Sequence, residues 1–173
     1  MKRIIIGLGA IAASTIGASE GSPLILHPLM KDSIAPAAQS LWDVGNRAMD
    51  DNGNPDASKL TPADWQTLAA AAGKMREAAS ALATAQTIAV TGPNMKLQDE
   101  GAPTASTPAQ IQHFIDGDRK GFADHAHKLA AIADDIVRAA KTRDGATLGE
   151  ATGRLDEVCE ACHTLFWYPN QAH

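Results

Sequence analysis

The sequence has no apolar run long enough to cross a membrane once its first residues are set aside, and no excess of positive charge. It holds 15 basic against 20 acidic residues, for a formal charge of −5. A basic footprint for nucleic acid is therefore missing. Aromatic residues make up only 4% of the 173 residues, although 45% are apolar. Alanine supplies much of that apolar content, and β-branched runs are scarce beyond the N-terminus. That composition argues against a sheet and for helices packed through small side chains. Only two cysteines are present, Cys159 and Cys162, so no disulfide framework can hold the fold.

The first residues read as an export signal. Lys2 and Arg3 precede a weakly polar to apolar run from Ile4 to Ile16, followed by the small residues Gly17, Ala18 and Ser19. The run is too short to span a bilayer and has the layout of a secretory signal, with cleavage expected near Ala18. Residues 1–18 are assigned to this signal and residues 22–173 to one mature domain. An exported protein without a membrane span is expected, in the periplasm of a Gram-negative source.

Four segments show helical periodicity. The first, about Pro28 to Asp50, carries Leu26, Met30, Ile34, Ala37, Leu41, Val44 and Ala48 on one stripe, with Pro36 expected to kink or divide it. The second opens at Thr61-Pro62-Ala63-Asp64, a helix-starting pattern. Its stripe is Trp65, Leu68, Ala72, Met75, Ala79, Leu82, Gln86 and Ala89, and Gly92-Pro93 is expected to end it. The third opens at Thr107-Pro108-Ala109-Gln110, a capping box. It carries Ile111, Ile115, Phe122, Leu129, Ile132, Ile136 and Ala140. The fourth follows Thr142-Arg143-Asp144-Gly145, carries Leu148, Ala151, Leu155, Val158, Cys162 and Phe166, and stops before Pro169. Connections are short except for the loop 93–106. The expectation is an all-α, antiparallel, up-down four-helix bundle.

Both cysteines fall in Cys159-Glu160-Ala161-Cys162-His163. On a helix, residues three and four apart share a face. Two thiols there can each bond a haem vinyl group while His163 reaches the iron, the c-type haem attachment motif. Export agrees with it, since attachment occurs outside the cytosol. A disulfide across this spacing would have poor geometry inside a helix and close a very small loop. A thioredoxin-like pair would sit on a βαβ pattern, and zinc would need further ligands. His27, His113, His125, His127 and His173 show no paired metal spacing.

With that motif on its last helix, the chain over about residues 24–168 resembles the class II c-type cytochromes, of the cytochrome c′ type. Phe166 matches the frequent aromatic three residues after the histidine. Trp167 stands where the family often has a basic residue, so no role for a cation at that position is carried over. The resemblance implies one covalent haem c inside the bundle, held by Cys159 and Cys162 with His163 as proximal iron ligand. The family divides on the other face of the iron. Cytochromes c′ proper leave it free and bind gases, whereas low-spin relatives supply a methionine in a Leu-Met-Lys setting.

Here Leu29-Met30-Lys31 begins the first helix, and Met30 lies on its apolar stripe. Met30 is the candidate distal ligand, with ordinary core filling as its alternative. Met49, Met75 and Met95 are weaker candidates, and His125 or His27 the remaining ones. Trp42 and Trp65 are expected to pack at the bundle ends or around the porphyrin. Phe166 to Pro169 would cover the haem edge, form an association surface or pack the helix end.

The expected function is a periplasmic monohaem c-type cytochrome carrying single electrons; the alternative is a five-coordinate cytochrome c′ binding nitric oxide or carbon monoxide. No acid–base constellation suggests an enzyme. Expected partners are redox proteins with basic docking surfaces, with no nucleic acid, and a homodimer is left open.

Overall fold

The computed structural model describes residues 21–169 apart from 54, 99, 103 and 104. The secretory-signal assignment, residues 1–18, lies outside these residues, as does His173. The fold is mostly helical. A helical path runs from Leu26 to Arg47 in three parts: α1 (Leu26–Leu29), a wide π-type turn (Met30–Ile34) and α2 (Ala35–Arg47). Four further α-helices follow: α3 (Pro62–Thr84), α4 (Pro108–Gly117), α5 (Arg119–Thr142) and α6 (Gly145–Phe166).

Helix starts follow the local chemistry of the sequence. Thr61 Oγ1 accepts the Asp64 N–H at 3.2 Å, and Asp64 Oδ2 accepts the Thr61 N–H at 2.9 Å. Thr107 and Gln110 repeat this reciprocal pair at the head of α4. Each box satisfies amides that the helix itself leaves free. At the other end of α5, Arg143 takes a left-handed conformation and Asp144 then caps α6 through the Thr147 N–H.

Asp64 also accepts from Arg47 Nη2 at 2.7 Å, which ties the end of α2 to the start of α3. The Thr61 hydroxyl, then Arg47, hold its carboxyl down from 3.8 to about 2. A depressed carboxylate contributes stability that is complete above 3.8 and is lost as pH falls through about 2. Asp64→Asn is therefore expected to melt lower than wild type at pH 5. The difference should shrink as pH falls from about 4 and vanish only below about 2. Thermal melts across that range check it; a constant difference would show that the ionised carboxylate is not what matters.

The third segment is two helices, not one. The chain breaks at Asp118, whose φ of −141° and ψ of 66° are not helical. Its side chain accepts the Gly121 N–H at 2.8 Å and caps α5. The second helix also ends earlier than expected, at Thr84. Gln86 and Ala89 therefore leave the helical stripe. Beyond it, β2 (Ile88–Ala89) pairs in parallel with β1 (Leu24–Ile25), in the register Leu24 to Ile88 and Ile25 to Ala89. Thr87, Ile88, Val90 and Thr91 are β-branched and suit an extended strand better than a helix. The Gln112 side chain fastens this corner to α4, accepting from the Val90 N–H and donating to the Ile88 carbonyl.

The apolar stripes face inward. α3 packs chiefly on α5 and also on α2, while α5 packs on α6. Ala71, Ala72 and Ala79 of α3 are buried, as are Ala133, Ala139 and Ala140 of α5. Small side chains at that seam let the backbones approach closely. α2 and α6 have no such close contact, and a cavity lies between them.

Candidate functional site

The cavity encloses about 240 Å³. One wall is α6, which contributes Cys159, Cys162 and His163; Phe166 and Trp167 continue that wall. The opposite wall is the first helical path, with Leu26, Met30, Ile34 and Trp42. Ile111 and Ile115 of α4 and Phe122, His125 and Leu129 of α5 complete the lining. Both thiols, the candidate proximal histidine and the candidate distal methionine thus share one apolar space.

Met30 owes its place to the π-type turn. Leu26, Met30 and Ile34 are spaced by four, and in a regular helix of 3.6 residues per turn such a stripe drifts about 40° per step. In this turn the Ala35 N–H donates to the Met30 carbonyl, five residues back. The wider turn offsets that drift between Met30 and Ile34, and all three side chains line the cavity. Pro36 explains why it forms. Proline has no N–H for the Asp32 carbonyl, and its ring would collide with that oxygen in a regular helix. The expected division at Pro36 is therefore a change of helix type, without a break. Pro36→Ala is expected to permit a regular turn and rotate Met30 out of the cavity. Met30 should then oxidise several-fold faster in dilute peroxide, read by peptide mass mapping. An unchanged rate would show that the turn does not depend on Pro36.

The thiols are free and partly buried. Burial pushes Cys159 up to about 11, with the charge of Asp156 adding to it, and pushes Cys162 up to about 12. Both are therefore neutral thiols near pH 7. Burial pushes the His163 pKa down, against a smaller opposing effect of Glu160. The imidazole is neutral, the form that binds a metal. Among the described residues, no three His, Cys, Asp or Glu side chains converge as a metal cage.

The remaining candidates separate clearly. Met75 is fully buried in the core at the α3–α5 seam, and Met49 and Met95 are exposed. None of the three lines the cavity, nor does His27. His125 does line it, and its ring meets Phe166 edge-on with centroids 6.2 Å apart. Its Nδ1 is buried and has no hydrogen-bond partner, a condition that costs about 1–3 kcal/mol unless a guest supplies the missing partner. Trp65 is buried in the core away from the cavity. Trp42 lies at the mouth, 39% exposed, and its indole N–H donates to Asp156 on α6 at 2.8 Å. That bond bridges the gap between α2 and α6.

Haem suits these residues: an apolar lining, two neutral thiols one helical turn apart, and a neutral imidazole and a thioether that line the same cavity. Comparisons with family models, with curated proteins and with solved structures find no match. The chemistry of the site is therefore read from its own atoms. Sequence reasoning did not single out Glu160 and Tyr168 beside His163. Their contact forms only because the chain turns back after Phe166, and no spacing pattern signals that.

Proposed function

We propose that this chain is an exported monohaem c-type cytochrome of the cytochrome c′ type, built as an antiparallel four-helix bundle, that carries single electrons in the periplasm. The observation that carries the reading is the convergence of Cys159, Cys162, His163 and Met30 on one apolar cavity. Support for the bundle comes from α2, α3, α5 and α6, which are long helices packed in series around that cavity.

Haem held there would supply an iron that takes up and gives back one electron at a time. The chain's own groups have separable tasks. Cys159 and Cys162 would anchor the group through thioether bonds. His163 offers a neutral nitrogen from α6, and Met30 offers a soft sulfur from the opposite wall. Histidine with methionine raises a reduction potential. Ile111, Ile115, Phe122 and Leu129 keep water out and the local dielectric low, which favours the less charged state of a bound metal. Asp43, Asp156, Glu157 and Glu160 are exposed on α2 and α6, which suits partners with basic faces.

Absorption spectra of the purified holoprotein in both oxidation states test the reading. A six-coordinate low-spin spectrum is expected. A five-coordinate high-spin spectrum would instead assign the protein to gas binding, with Met30 as a wall of the distal pocket.

A further inference from the structure

α6 ends at Phe166, and the chain then turns back on itself. The Trp167 and Tyr168 N–H groups both donate to the His163 carbonyl, at 2.8 and 2.9 Å. Their rings both pack beside the His163 imidazole, with centroids at 6.3 Å for Trp167 and 6.0 Å for Tyr168. Trp167 lies on the cavity side, as one of its lining residues. Tyr168 is fixed by its phenol, which donates to Glu160 Oε2 at 2.6 Å. The Thr164 hydroxyl donates to the Glu160 backbone carbonyl at 2.7 Å and lies 3.2 Å from Oε1. Glu160 is thus a carboxylate held beside His163, inside the attachment motif itself. A short hydrogen bond from a phenol to a carboxylate is among the stronger kinds. The bond holds Tyr168 protonated, its pKa raised to about 12, and keeps the Glu160 carboxyl ionised below its usual range.

We propose that Glu160 and Tyr168 form a clamp that positions His163 and sets the electrostatics on the proximal side of the site. This rests on the cytochrome reading. The two members act in opposite senses. The Glu160 carboxylate places a negative charge near the metal ligand and favours the more positive, oxidised state. Tyr168 disperses that charge through its hydrogen bond and shields the imidazole from water with its ring. Loss of the phenol hydroxyl therefore leaves the carboxylate charge undispersed and frees the ring from its anchor on Glu160, so that water reaches the imidazole; both changes favour oxidation.

The test compares the reduction potentials of wild-type holoprotein, Glu160→Gln and Tyr168→Phe. Each substitution preserves side-chain size, and glutamine can still accept the phenol hydrogen bond. The proposal expects Glu160→Gln to raise the potential and Tyr168→Phe to lower it. The exchange of the His163 ring N–H with solvent, followed by NMR, should also speed up about tenfold or more in Tyr168→Phe. In the double variant the effect of Tyr168→Phe should shrink, because the charge it acts on is gone. A role confined to tethering the chain end would move both single variants the same way, or neither. Either result, in haem-loaded protein with unchanged melting, overturns the clamp and leaves the cytochrome reading standing. Wild-type protein that carries no covalent haem would overturn both.

Discussion

Replacing both Cys159 and Cys162 by alanine is expected to abolish covalent haem and to loosen the chain into a protease-sensitive state. The reason lies in how the helices meet. The α3–α5 seam is closed by buried alanines together with Leu68, Met75, Ile132 and Ile136, but α2 and α6 are separated by about 240 Å³ of apolar cavity. Without a filler those apolar walls lose both packing contacts and burial from water. Water is a poor substitute as filler, since apolar walls offer it few partners. The Trp42–Asp156 hydrogen bond is an exposed link across the same gap and contributes little by itself. Limited proteolysis and a thermal melt of the double variant, beside the wild-type holoprotein, check the expectation. A variant that melts as high and as cooperatively as wild type would show that the fold does not need a bound filler.

Met30→Ala is the second substitution with a large expected effect. Met30 is partly exposed, so its truncation should cost only about 2 kcal/mol, the lower end for such changes in a core. The effect on the site should be far larger. With the thioether gone, the ferrous protein should become high-spin, bind carbon monoxide readily and show a lower reduction potential. If the wild-type iron has no sixth ligand, the spin state will instead stay as it was and only access to the pocket will change. A spectrum that remains low-spin in Met30→Ala would contradict the assignment of Met30 and point to His125, the other cavity-lining side chain with a free nitrogen.

What could be read from the sequence was whatever is fixed by neighbours along the chain. Thr61 with Asp64, and Thr107 with Gln110, mark helix starts because each cap is made within four residues. The stripes from Leu26 to Ala48 and from Leu148 to Phe166 are legible because burial repeats with the helical period. The placing of Cys159, Cys162 and His163 together along one helix is legible for the same local reason. Features that depend on distant partners were not. The β1–β2 pair exists because Leu24 meets Ile88, and no pattern near either residue requires it. Asp118 splits the third helix by capping α5; a run such as Asp116-Gly117-Asp118 can equally lie on the surface of an unbroken helix. The Pro36 signal was correct in place, and the division it announced takes the form of a change of helix type. Proline announces that a regular turn cannot form there, and the spacing by fours from Leu26 to Ile34 then favours a wider turn over a kink. That wider turn is what keeps Met30 facing the cavity. The clamp of Glu160 and Tyr168 depends on the reversal after Phe166, which a stop signal at Pro169 does not describe.

The mass of the intact, acid-denatured protein, purified from cells competent in cytochrome maturation, tests the central claim most directly. Thioether bonds survive denaturation, whereas a haem held by its axial ligands alone does not. A mass equal to polypeptide plus one haem, falling to bare polypeptide in the Cys159→Ala, Cys162→Ala variant, is the expected result. A wild-type mass equal to the bare polypeptide would contradict it.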